Sequence, residues 1–259
     1  MKKFTHALVA VSPVFFWLLI SFSGGGAHSQ AEAQAQTGAQ YDANSAFEKS
    51  LAAHGGWAAI TRATSYRVEA VRLISTFPTE FIERRMTLSV DGERFRRSSD
   101  DSTGAVARAE MFDGLQLRAA LRLKRDDGST ASRSIPVDGD RLRALRFNVD
   151  TFGLLPLLRI CADSVAIAEG RAGSLDKFRI RTARGDWIVY TDQAGLIRRL
   201  ERGDKVFQFA DYRQVGELRL PFIERLSIGD RLIYELIFSA IEINPDFPPD
   251  HFDTEPFSR

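Results

Sequence analysis

Short apolar runs separated by Gly- and Asp-containing turns are the pattern that most constrains this chain. The pattern is densest in VFQFADYRQVGELRLPFIERLSIGDRLIYELIFSAIEIN, residues 206–244, where Gly216 and Gly229-Asp230 divide three runs. Gly and Asp supply the positive φ that tight hairpins need, so the runs predict antiparallel strands. In the second run Leu220, Phe222, Leu226 and Ile228 fall on one face and Arg219, Arg225 and Ser227 on the other, with Glu224 as an exception on the apolar side. The third run differs. Leu232, Tyr234, Leu236 and Phe238 share one parity, and Ile233, Ile237, Ile241 and Ile243 share the other. Unbroken alternation would make both faces of that strand apolar, and both would need cover.

The same punctuation recurs upstream. Tyr66, Val68, Ala70 and Ile74 face one way in a first strand; Ile82, Met86, Leu88 and Val90 alternate with polar residues in a second. A short strand is expected around Arg94–Arg97, then Val106–Phe112, and then Leu115 to Lys124 after the turn at Asp113-Gly114. Further strands are expected over Leu175–Thr182, Trp187–Thr191 and Leu196–Glu201. Strands at this spacing predict a large antiparallel sheet or barrel.

Two regions change period. Asn44 or Ser45 can cap a first helix carrying Phe47 and Leu51, which Gly55-Gly56 ends; a short second helix runs from Trp57. Between Asp138 and Ile160, Leu142, Leu145, Val149 and Phe152 recur at helical steps. Gly153 and Pro156 disfavour one continuous helix there.

Lys2 and Lys3 precede an apolar run, Ala7 to Phe22, and small residues at Ala27–Ser29. This is the order of a cleavable secretory signal over residues 1–29, with cleavage after Ser29, or after Ala33 or Ala35. An uncleaved inner-membrane anchor is the alternative. Residues 30–43, rich in Ala, Gln and Gly, read as a flexible linker, and 44–259 as one β-rich domain. The expected location is the periplasm.

With 35 basic against 34 acidic side chains, the charge balance implies no nucleic-acid partner. The single cysteine, Cys161, cannot form an internal disulfide and reads as a small buried apolar residue. His54 and His251 are far apart in sequence, and the chain holds no HExxH, GxSxG or phosphate-binding Gly loop. Asp246, Asp250, His251 and Asp253 lack a defined metal-ligand pattern. No cofactor, metal or catalytic residue is assigned, and the chain reads as a non-enzyme.

Asp211-Tyr212-Arg213, Leu220-Pro221, Asn244 and Phe252, with Ala53-His54-Gly55-Gly56 followed by Trp57 and Ile60, carry a resemblance. They resemble the LolA/LolB-like outer-membrane lipoprotein-sorting superfamily, as a divergent member. The resemblance implies an α+β, mainly antiparallel fold: an unclosed, curved sheet wrapped around a few helices, with a hydrophobic cavity between them. It implies binding of lipid or lipoprotein acyl chains, with membrane contact at most transient.

The residues expected to meet such a ligand are Val149, Phe152, Leu154, Leu155, Leu157, Leu158, Leu220, Phe222 and Leu226, with Leu154–Leu158 as a candidate lid. The competing reading of these Leu and Phe residues is core filling. Each buried CH₂ is worth about 0.8 kcal/mol, so a long acyl chain crossing water bare would lose on the order of 10 kcal/mol. The alternative function is a cell-envelope sensor or scaffold that binds a protein partner. Its candidate surface is Arg-rich: Arg118, Arg122, Arg179, Arg181, Arg198 and Arg199.

Overall fold

Two short helices, α1 (Ala43–Ala53) and α2 (Trp57–Arg62), open the structure, a computed structural model. Residues 42–253 are described, apart from 77–79, 102, 136, 138, 151, 162–163 and 183–184. The expected signal, most of the expected linker and the Cys161 side chain lie outside the described residues. Six strands follow α2: β1 (Ser65–Thr76), β2 (Glu80–Asp91), β3 (Arg94–Asp101), β4 (Val106–Phe112), β5 (Leu117–Lys124) and β6 (Thr130–Ser134). Then come α3 (Gly139–Asp150) and α4 (Leu154–Cys161). Seven strands complete the chain: β7 (Val165–Ala172), β8 (Leu175–Thr182), β9 (Gly185–Thr191), β10 (Ile197–Arg202), β11 (Lys205–Val215), β12 (Leu218–Ile228) and β13 (Arg231–Ile243).

All thirteen strands belong to one antiparallel sheet of order β6-β5-β4-β3-β2-β1-β13-β12-β11-β10-β9-β8-β7. It is therefore two meanders joined where β1 pairs with β13, and it is not closed. The upstream strands were expected, except that β6 and β7 are additional and Leu115 sits 90% exposed in the turn before β5. β6 is short and mostly exposed, so it lacks the alternation that marks a half-buried strand.

Register identifies the inner face. Tyr66, Val68 and Ala70 oppose Val90, Leu88 and Met86, and all six are buried. On the other side of β1 they oppose Ile243, Ile241 and Phe238. That pairing corrects the expectation for β13. A bulge between Glu69 and Ala70 lets Phe238 and Ile241 flank the irregularity, so the parity of β13 switches within the strand. Tyr234, Leu236, Phe238, Ile241 and Ile243 thus all serve one face. Ile237, left on the other, is 41% exposed. The outer face needs no second layer there.

The helices sit on the inner face. α1 packs on β7 and β8, with Phe47 and Phe178 ring centroids 6.1 Å apart. α4 packs on α2, β8 and β12. The expected break falls at Gly153, and Pro156 occupies the first turn of α4, where an amide hydrogen would have no helical acceptor. The N-cap of α1 is Asp42 rather than Asn44 or Ser45; its carboxylate accepts the Asn44 N–H at 3.0 Å.

The end of α1 ties the helices to the sheet. Gly56 N–H donates to Leu51 C=O at 2.8 Å and Gly55 N–H to Ala52 C=O at 3.1 Å, the paired bonds of a Schellman ending with Gly55 at φ 109. His54 Nδ1 lies 2.9 Å from the Arg219 carbonyl, and Arg219 N–H donates to the His54 carbonyl at 3.3 Å. Here α1 reaches the β11–β12 turn so closely that a Cβ on Gly55 would lie 2.3 Å from the Glu217 carbonyl oxygen.

The residues after β13 lie along the outer face of β3–β5. Arg96 donates to the His251 carbonyl at 3.0 Å and Arg118 to the Asp253 carbonyl at 3.2 Å, while Phe252 is buried beside Arg94.

Gly55→Ala should be far more damaging than Gly216→Ala. Both positions have positive φ, but a Cβ on Gly216 meets open space. The left-handed backbone alone costs about 1–2 kcal/mol, whereas Gly55 adds a backbone collision, for a total on the order of 4 kcal/mol or more. Urea midpoints of the two variants, compared at unchanged m-value, check this ordering.

Candidate functional site

The inner face has two parts. Beneath the helices it is apolar and filled. Phe152, Leu154, Leu155 and Leu220, with Pro156, Pro221, Phe238 and Ile241, border a cavity of about 20 Å³. That is room for about one water, since a cavity needs roughly 10–15 Å³ of this measure to hold one. Leu157 and Leu158 are each 1% exposed in the core. Val149 is buried facing a separate hollow, Phe222 lies under the Arg213 guanidinium at 4.3 Å, and Leu226 is half-buried opposite Tyr234. The structure therefore gathers Phe152, Leu154, Leu155 and Leu220, and spreads the other candidate residues through the surrounding core.

Beyond the helices the inner face opens. Arg72, Arg84, Arg97, Arg108 and Ser99 border a hollow of about 280 Å³ across β1–β4. Its other walls are Ile74, Met86 and Val106, with Leu121 from β5. The face is amphipathic: guanidinium groups stand among aliphatic side chains on the same side of the sheet as the core. A signal for it exists in the sequence. Arg72 interrupts the inward set Tyr66, Val68, Ala70 and Ile74, and Arg84 interrupts Ile82, Met86, Leu88 and Val90. A charge at an inward position needs a reason.

A chain of contacts joins the two parts. The Arg72 guanidinium lies 4.5 Å from the Tyr234 ring centroid. Tyr234 Oη donates to Glu224 Oε1 at 2.8 Å, and Glu224 Oε2 accepts the Gly153 N–H at 2.9 Å, at the break between α3 and α4. Glu224 is fully buried, and desolvation pushes its carboxyl up to about 7 against the opposing pull of its two hydrogen bonds and Arg72. The exception in the β12 pattern is thus a buried carboxyl holding the helical break to the sheet.

His54 has a scaffold role. With Nδ1 donating to Arg219 C=O, its Nε2 accepts the Ile197 N–H at 3.3 Å, an arrangement that requires the neutral ring. Burial lowers its pKa to about 4. Tyr212 packs on it at 5.5 Å and donates its hydroxyl to the Ile197 carbonyl. Asp211, at φ 53, breaks the alternation of β11 and brings Tyr212 against the core. Asn244 similarly bonds Arg62 C=O and Ser65 N–H, closing α2 onto β1. Of the residues that carried the resemblance, His54, Tyr212 and Asn244 therefore hold the helices to the sheet.

The Arg-rich outer set is engaged locally. Arg179 pairs with Glu169, Arg181 approaches Asp186 at 3.7 Å, Arg198 pairs with Asp192 at 2.7 Å and Arg199 with Glu201 at 2.5 Å. Arg118 approaches Asp113 at 3.6 Å, and Arg122 borders a polar hollow with Arg96 and Asp100. Among the described residues, no group of three or more His, Cys, Asp or Glu could hold a metal ion, and no helix is long and apolar enough to cross a membrane.

No protein-family model and no curated protein sequence matches this chain. Solved structures similar to it include a DUF1329 family protein from Desulfovibrio piger, at 8% identity and TM-score 0.48 over 81% of this chain and 96% of that one. A LolA superfamily protein from Nitrosomonas europaea is similar at 10% identity and TM-score 0.48, over 82% and 97%. The MucA/MucB complex of Pseudomonas aeruginosa follows at 12% identity and TM-score 0.24, over 80% and 60%.

Glu224 and His54 make opposite pH demands. Glu224 retains a proton that the unfolded chain releases near 4.5, so rising pH costs stability between about 4.5 and 7. His54 refuses a proton that the unfolded chain takes up at 6.5, so falling pH costs stability between 6.5 and about 4. His251, lowered by partial burial and by Arg96 and Arg67, adds the sign of His54. The slopes oppose one another from 4.5 to 6.5. Glu224→Gln should unmask the histidines: its stability rises by up to ~3 kcal/mol over that interval, while the wild-type curve stays much flatter. Urea titrations at several pH values measure both. Superimposable profiles for variant and wild type would remove Glu224 from this role.

Proposed function

We propose that this protein is a non-enzymatic periplasmic binder or carrier of an amphiphilic lipid. The observation that carries the reading is the inner face itself, apolar beneath α4 and continuing into an amphipathic hollow, with Arg72, Tyr234 and Glu224 linking the hollow to the α3–α4 break. A polar group seated in the hollow would point an attached acyl chain along Ala70 and Met86 toward the helices. A cavity of about 20 Å³ does not admit that chain; ligand pockets occupy roughly 300–1,000 Å³. Lipid entry therefore requires α4 to swing away about Gly153, exposing Phe152, Leu154, Leu155 and Leu220. Exchanging one apolar surrounding for another keeps the cost of that opening small once the chain is in place.

Loading should be visible directly. Native mass spectrometry of the protein purified from an exporting host is expected to show a lipid-mass adduct, and a fluorescent acyl probe is expected to bind. Leu155→Glu, which puts a carboxylate on the apolar side of α4, should weaken the probe by at least about tenfold, given the cost of burying an unpaired charge. Absence of both adduct and probe binding would sink the lipid reading and favour the protein-binding sensor or scaffold.

A further inference from the structure

The hollow holds more positive charge than its own residues neutralise. Arg97 and Arg108 share one carboxylate, Glu110, which is 1% exposed and accepts from both Nε atoms at 2.8 Å. Arg72 and Arg84, directly opposite one another on β1 and β2, have no ion pair among the described residues. Like charges so placed repel. The nearest candidate partner by register, Asp101 opposite Arg84, is committed to its own turn, accepting from Thr103 Oγ1 at 2.8 Å and the Ala105 N–H at 3.0 Å. Arg72 carries a second sign of an absent partner: its Nε is buried without a hydrogen bond. Four guanidinium groups against one engaged carboxylate, around 280 Å³ of space, form a seat for an anion.

We infer that this hollow binds the phosphate group of an anionic amphiphile, with Arg72 and Arg84 as the principal contacts and Arg97 and Arg108 supplying further donors. Guanidinium forks match phosphate oxygens in pairs, and donors from four strands exceed what a two-oxygen carboxylate can accept. Ile74, Met86, Val106 and Leu121 then receive the glycerol and the first carbons of the chains. The inference rests on the lipid-binding reading for its occupant, while the anion site stands on the arginines alone.

The test compares binding of three probes to the full chain by calorimetry: monomeric short-chain phosphatidylglycerol, the matching phosphatidylcholine, and inorganic phosphate. Phosphatidylglycerol is expected to bind at least about tenfold more tightly than phosphatidylcholine, with affinity falling as salt rises. Arg84→Gln should erase that preference, whereas Arg181→Gln on the outer face should leave it intact; unfolding midpoints confirm that both variants fold. Equal affinity for the two lipids would overturn the anion inference and leave the lipid reading standing. Tight phosphate binding without lipid binding would do the reverse, keeping the anion site and overturning the lipid reading. Failure of all three probes would overturn both.

Discussion

Everything in this structure depends on the pairing of β1 with β13, strands whose contacting residues lie about 170 positions apart, such as Glu69 and Ser239. Without it the chain would be two separate meanders, each with one apolar face and too little helix to cover it. The join places Val68 and Ala70 beside Ile241 and Phe238 and gives both meanders a common core. The bulge at Glu69/Ala70 makes that possible, because it returns the isoleucines at the end of β13 to the same face as its aromatic residues. Long-range pairing of this kind gains its reward only after loop closure has been met, so it is expected to form late in folding.

Buried polar groups then fix where the helices sit. His54 bonds the backbone of Arg219 and Ile197, and Glu224 bonds Tyr234 and the Gly153 amide. Each is satisfied, and each is expensive to move because an orphaned buried polar group costs about 1–3 kcal/mol. The two differ in consequence. His54 anchors the end of α1, which lies against the rigid β11–β12 turn. Glu224 anchors a break between two short helices, and its carboxyl titrates near neutrality. The second anchor is the one whose strength changes in the physiological pH range, and it is also the one connected through Tyr234 to Arg72 and the hollow.

The helices are too few to cover a thirteen-stranded sheet, and the uncovered part decides the chemistry. Over β7–β13 the inner face is closed by α1, α2 and α4 and is built largely of Leu, Ile and Phe. Toward the other end of β1–β4 the same face carries Arg72, Arg84, Arg97 and Arg108, and Leu123 of β5 is 42% exposed. An apolar ligand alone would have no use for the arginines, and a free anion alone would have no use for Ile74 and Leu121. An amphiphile uses both.

How much of this was legible follows from periodicity. Alternation and Gly–Asp turns suffice to read nearly all the strands, because the side-chain period of two is a local property of extended backbone. Gly153 and Pro156 mark the α3–α4 break for an equally local reason. The parity switch in β13 is invisible, since a bulge is defined by what the neighbouring strand does; Ile241 and Ile243 read as outward residues until Val68 and Tyr66 stand opposite them. The candidate site divides the same way. Leu154, Leu155 and Leu158 are recognisably buried from composition, but whether they surround a cavity or fill it is a matter of packing. The hollow needed Arg72, Arg84, Arg97 and Arg108 from four strands, each ordinary in its own segment. The sequence by itself determined the strands, the turns and the apolar insert, all short-range consequences of backbone sterics and side-chain polarity. Only the tertiary structure decided that two meanders share one face, that the insert is packed, and that four distant arginines, two of them sharing Glu110, converge on one hollow.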